Sequence, residues 1–152
     1  MYHQFADKAA LFLAVVEEVE SDLTRRLAEG VAASSPASPA AALNAAIDAW
    51  LEACSEAEVR QLILLDAPVV LGWDVFRDVA LRHGLGLTEA LLQAAMDEGQ
   101  LPALPKRALA HILIGALEEA AMMVAMAQDQ QLSKAEAGEV LHAMLAGLLV
   151  TG

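Results

Sequence analysis

The sequence predicts an all-α fold, a bundle of helices around one core. Three observations predict it. The residues are 57% hydrophobic, 20% charged and only 4% aromatic, with Ala and Leu dominant and β-branched residues scattered, a mix that favours helices. Apolar residues recur at three- and four-residue spacing, the period of one buried helical stripe. Short runs of Pro, Gly and Ser separate the stripes. A chain of 152 residues fits a single domain with a core of its own.

The elements follow in order. Asp7 is placed to cap a helix whose stripe runs Phe12, Val16, Val19, Leu23 and Leu27, with Glu17, Glu18, Asp22, Arg25 and Arg26 toward water. "GVAASSPASP" ends it. Ser38 caps a second helix with Pro39 in its first turn and a stripe of Leu43, Ile47, Trp50, Leu51 and Cys54. Ser55 and Glu58 have capping-box spacing, so a third helix, "EAEVRQLILLDA", should start at once and stop near Pro68. The next stretch divides into a helical piece from Trp73 to His83, a break at "HGLG", and a helix from Thr88 to about Glu98 that Gly99 ends. After Pro102 and Pro105 comes the longest apolar helix, Lys106 to about Gln128. Ser133 and Glu136 form a further capping box before the last helix.

That apolar helix is hydrophobic on nearly every side, and such a helix needs cover on every side. The last two helices therefore offer more apolar surface than a monomer of this size should expose. A two-fold homodimer is expected, with Ile114, Leu117, Val124, Val140, Leu141, Met144 and Leu148 at its interface.

Charge and motifs exclude several classes. The formal net charge is −12, from 9 Lys and Arg against 21 Asp and Glu, which is wrong for a free-standing nucleic-acid binder. Cys54 is the one cysteine, so no intrachain disulfide can form, and its apolar neighbours suit a buried thiol. No signal peptide is convincing, and Glu118 and Glu119 interrupt the most apolar stretch before it reaches the roughly 20 residues of a membrane span. A cytoplasmic protein is expected. No nucleophile elbow, phosphate loop or dinucleotide fingerprint is present. Glu139 and His142 have the spacing used in carboxylate di-metal bundles, but that template needs a second copy, and His3, His83 and His111 have no Glu three residues before them. No catalytic residue, metal or cofactor is expected, and the chain does not read as an enzyme.

Two groups of residues remain as candidates for ligand contact. His111, Glu118 and Glu119 lie within or beside the most apolar run, so at least one of these ionisable groups should be inside the fold. It would be satisfied there by a partner such as Arg60, Arg77 or Arg82, or would meet a ligand. Trp50, Trp73 and Phe76, with Met96, Met122, Met123 and Met126, could line an apolar cavity or simply fill the core. The candidate ligand set is Trp50, Trp73, Phe76, His111, Glu119 and Met122.

The opening "YHQFADKAAL" resembles the Tyr-x-x-Phe-x-x-Lys-x-x-Leu signature of TetR-family transcriptional regulators. The resemblance extends through "LLDAPVVLGW" and through "DEGQLPALPKRALAHILIGAL", which looks like the Gly-x-Leu turn leading into the family's eighth helix. It implies a C-terminal sensor fold whose last two helices build a dimeric four-helix bundle. It also implies that residues 1–8 are the end of a DNA-recognition helix and its turn, and that residues 9–152 are the ligand-sensing and dimerisation domain. Tyr2, His3 and Lys8 fall where family members touch DNA phosphates. Phe5 and Leu11 fall where the DNA-binding unit packs on the connecting helix. The family's first two helices and most of its third have no counterpart in this sequence, and a recognition helix works only on its supporting helices. DNA is thus an expected partner only with those helices present. The resemblance implies a small apolar or aromatic effector that controls DNA binding allosterically. The rival expectations are a helical dimerisation module without ligand, able to pair with and inhibit a full-length regulator, and a small helical enzyme or metal protein.

Overall fold

The computed structural model describes the backbone of residues 2–150 and the side chains of residues 7–150. The elements are α1 (Tyr2–Ala33), α2 (Pro39–Cys54), α3 (Ala57–Val59), a π-helical segment (Arg60–Asp66), α4 (Ala67–Leu71), α5 (Trp73–Asp97), α6 (Lys106–Ala125) and α7 (Gln130–Leu148). Among the described residues there is no strand, as an Ala- and Leu-rich chain predicts.

α6 is the spine. It packs against α2, α5, α7 and the π-helical segment, and its small residues enter each of three core clusters. Ala121 and Ala125 meet Val16, Leu23, Ile63, Phe76 and Val79. Ala110 meets Leu43, Leu92, Leu101 and Leu145. Ala120 and Val124 meet Leu51, Ala137 and Leu141. Alanines on the inner face let neighbouring helices approach closely, so one central helix can serve several neighbours. α6 is also long and apolar enough by composition to cross a membrane, with a mean hydropathy of 1.6. Its two carboxylates interrupt it less than the sequence alone suggests.

Several boundaries differ from the sequence reading. α1 starts at Tyr2 and runs through Asp7, so Asp7 is not its cap. Ser38 does cap α2, its side chain accepting from the Ala41 N–H at 3.1 Å. The Ser55 hydroxyl instead donates to the Leu51 carbonyl at 2.8 Å, and α3 begins without a side-chain cap. The chain also continues past Pro68 to Leu71, and Gly72 breaks it at φ +84°. The wide turns before Pro68 explain this. The Ala67 N–H reaches back to the Leu62 carbonyl, and a widened turn relieves the clash that a proline ring makes in a regular helix. α5 runs unbroken through "HGLG", because Gly84 packs toward Ile114 and the Thr88 hydroxyl donates to the Gly84 carbonyl at 2.9 Å. Tertiary contact overrides the local cost of two glycines. α7 starts one turn earlier than the Ser133–Glu136 box suggests, since Asp129 captures the Leu132 N–H at 3.0 Å.

Gln100 joins the two ends of the bundle. Its side-chain oxygen accepts from the Ala40 N–H at the start of α2, and its carbonyl accepts from the Val150 N–H, both at 2.8 Å. Gly99, at φ +73°, forms the turn that presents it.

The expected interface residues divide between inside and outside. Ile114, Val124 and Leu141 are each 7% exposed, and Leu117 packs against the same core. Leu148 is half-buried against the second cluster. The chain's own packing uses these five. Val140 and Met144 do face outward, and the open apolar positions on and just after α6 are Ile112, Met123 and, past its end, Met126. The difference is one of helix face: the apolar period of α6 goes all the way round, so sequence alone does not distinguish the core side from the outer side.

Candidate functional site

An apolar cavity of about 70 Å³ lies where α1, α2, α5 and α6 meet. α1 contributes Glu20, Leu23, Thr24 and Leu27, and α2 contributes Trp50. Ala80, Gly84, Leu87 and Thr88 come from α5, and Ile114, Leu117 and Glu118 from α6. The helical period brings each set to one face. In α1, Glu20, Leu23, Thr24 and Leu27 follow the i, i+3, i+4, i+7 pattern.

Polar contacts fix the wall. The Trp50 indole N–H donates to the Leu117 carbonyl at 2.9 Å, tying α2 to α6. The Thr24 hydroxyl lies 3.0 Å from the Glu20 carbonyl and 3.1 Å from the His83 carbonyl, tying α1 to α5. Arg77 reaches Glu118 Oε2 at 3.5 Å, passing close to Gly115, where a Cβ would stand 3.2 Å from its guanidinium. Arg77 is thus the partner for Glu118 among the three arginines considered. Arg82 pairs with Glu17, and Arg60 contacts Gln130.

The two carboxyls are the unusual chemistry. Glu20 is 6% exposed and Glu118 is 3% exposed. Burial, then the charge of Glu118, pushes Glu20 up to about 7. Burial pushes Glu118 up to about 7 as well, partly offset by Arg77. Glu118 Oε1 is buried with no hydrogen-bond partner. A second apolar cavity of about 60 Å³ adjoins the first, and Thr88 and Leu117 line both.

Of the six ligand candidates read from sequence, only Trp50 lines the first cavity. Trp73 is 49% exposed and stacks on Phe76 with ring centroids 5.5 Å apart, outside it. Phe76 is core. Met122 packs beside that core. Glu119 faces solvent, and its neighbour Glu118 takes the inner position. His111 is half-buried with Nε2 unpartnered, away from the cavity wall. The buried acid of α1, Glu20, was missed, although its signal was present: it lies four residues after Val16 and three before Leu23, on the apolar stripe itself. His142 contacts Asn44 at 2.6 Å and Asp48 at 2.7 Å. No cluster of metal-ligating side chains occurs among the described residues. Burial drives the Cys54 thiol far above its usual range. Lys8 is exposed on α1, while the side chains of Tyr2 and His3 lie outside the described residues.

The arrangement is a long first helix packed on α2 and α5, with α6 and α7 packed together at the end of the chain. A TetR-family transcriptional regulator of Pectobacterium atrosepticum has a similar structure, with a TM-score of 0.84 and 29% identity over 99% of this chain and 76% of that chain. No curated protein matches. Residues 40–148 match the family described as Tetracyclin repressor-like, C-terminal domain. The chain belongs to the TetR family of transcriptional regulators, through its C-terminal domain.

Proposed function

We propose that this chain is the effector-sensing and dimerisation part of a cytoplasmic TetR-family regulator, acting as a switch and not as an enzyme. Residues 9–152 form the sensor. From Tyr2 onward residues 1–8 continue α1 without a turn; in a protein that carries the whole helix-turn-helix they would fall to the recognition helix and turn, with Tyr2, His3 and Lys8 on DNA phosphates.

One observation carries this reading. Four residues of the cavity wall, Glu20, Leu23, Thr24 and Leu27, belong to α1, the helix that leads toward the DNA-binding end in the family. A small apolar or aromatic effector that enlarges this cavity must displace α1 relative to α5 and α6 and strain the Thr24–His83 link. It thereby favours one tilt of α1 over another, which is a population shift and not a push along a wire. In the intact dimer that tilt sets the separation of the recognition helices. Leu11 and Val15 are exposed on α1 at 66% and 40%, an apolar strip suited to a packed DNA-binding unit.

Ala80 is 8% exposed on the cavity wall, so Ala80→Leu fills the cavity from a rigid helix. Small apolar and aromatic compounds that raise the melting temperature of the wild type should lose that effect on the variant. Equal shifts in both proteins would place binding elsewhere. A second reading draws support from the open face of Val140 and Met144, which needs no cavity: a dimerisation module that pairs with a full-length relative and blocks its DNA binding. It gains if no compound shifts the wild type and mixing with such a relative yields a heterodimer.

A further inference from the structure

The cavity has an unusual imbalance of charge. Two carboxyls face it from opposing helices, Glu20 from α1 and Glu118 from α6. One guanidinium, Arg77, stands at 3.5 Å from one oxygen of Glu118. The other oxygen of Glu118 is buried and unpartnered, in a side chain only 4% exposed. The rest of the wall is apolar apart from Thr24 and Thr88. An isolated buried carboxylate is costly, and the cost is relieved by a cation that brings hydrogen-bond donors.

We propose that the effector has a protonated nitrogen at one end of an apolar body, and that Glu20 and Glu118 together receive that nitrogen. This rests on the reading of the cavity as the effector site. A wholly apolar molecule would leave Glu118 Oε1 without a partner. An anion would meet two like charges inside the fold. A primary or secondary ammonium group offers at least two donors, one for each carboxylate, and leaves Arg77 where it is. The apolar body has a place as well. Leu117 and Thr88 line both this cavity and the second one, whose wall includes Leu43, Ile47, Leu91 and Leu113. A tail running from the acidic pair past Leu117 and Thr88 would enter the second cavity and would need a narrow channel between the two. A slim, unbranched tail suits that channel better than a broad ring system.

The test compares three probes of one shape: hexylammonium, 1-hexanol and hexanoate. Binding is followed at pH 8 by the fluorescence of Trp50 in a Trp73→Phe background, with calorimetry as a check. Hexylammonium should bind at least tenfold more tightly than 1-hexanol, and hexanoate most weakly. In the Glu20→Gln, Glu118→Gln double variant the preference for the amine over the alcohol should vanish. If 1-hexanol matches hexylammonium on the wild type, the cation inference is overturned while the cavity stands as an apolar site. Retention of the amine preference by a folded double variant overturns it too. If no probe perturbs Trp50, the effector-site reading fails and takes this inference with it. The wild-type comparison stands even if the double variant does not fold.

Discussion

Glu20 sits on the buried stripe of α1 and Glu118 on the inner face of α6, and both are held up to about 7 by burial. The sign of the consequence follows. Between the ordinary carboxylate range near 4.5 and about 7 the folded protein holds more protons than the unfolded chain. Stability is therefore full below that window, falls as pH rises through it and levels off above it. A carboxyl shifted this far costs the fold roughly 3 kcal/mol once ionised. Glu56, held down by Arg26, works the other way but titrates below this window. Cys54 does not enter it, since its thiol is pushed far up. The melting temperature of the wild type should thus drop from pH 5 to pH 8, and Glu20→Gln with Glu118→Gln should flatten the profile. A wild-type curve that rises over this range would contradict the burial of the pair. At this scale the sequence was half legible. A carboxylate inside an apolar helix announced itself at Glu118 and Glu119, but choosing between adjacent residues requires the helix phase, which a helix apolar on all sides conceals. Trp73 misled for a related reason: a large aromatic in sequence looks the same whether it faces a cavity or lies on the surface against Phe76.

At the scale of elements, glycine position decides where helices end. Gly72 adopts φ +84° and ψ 154° between α4 and α5, a region closed to other residues without strain. Gly72→Ala should cost about 1–3 kcal/mol in chemical denaturation. Gly86 lies within α5 with open space around its would-be Cβ, so Gly86→Ala should be neutral or stabilise by up to ~1 kcal/mol. If the two substitutions have equal effects, the unbroken course of α5 is wrong. Ser38→Ala should cost about 1 kcal/mol by releasing the Ala41 N–H. The Ser38–Pro39 start was legible because both signals are local. The runs through "HGLG" and Pro68 were not, because the first is held by Ile114 and Thr88 and the second by widened turns, and neither leaves a mark in the local pattern.

The whole molecule leaves an apolar face uncovered on α6 and α7. Ile112 and Met123 are 66% and 49% exposed on one helix, and Val140 and Met144 are 58% and 48% exposed on the other. Surface of this kind on neighbouring helices calls for a partner, and we expect a second copy. Val140→Asp with Met144→Asp should convert a dimer to a folded monomer in sedimentation velocity. Ile114→Asp should unfold the protein instead, since Ile114 is spent inside the chain. The all-α class and the long apolar sixth helix were readable from periodicity; the division of residues 55–98 into helices was not, and the residues left open on α6 and α7 were readable only in part.

The central claim is that the cavity between α1, α2, α5 and α6 is the effector site. Fluorine NMR tests it most directly, because the protein has two tryptophans, Trp50 on the cavity wall and Trp73 on the surface. With 5-fluorotryptophan at both positions, assigned by Trp73→Phe, titration with hexylammonium should move the Trp50 resonance and leave that of Trp73 in place. Movement of Trp73 alone, or of neither while calorimetry records saturable binding, would contradict the account.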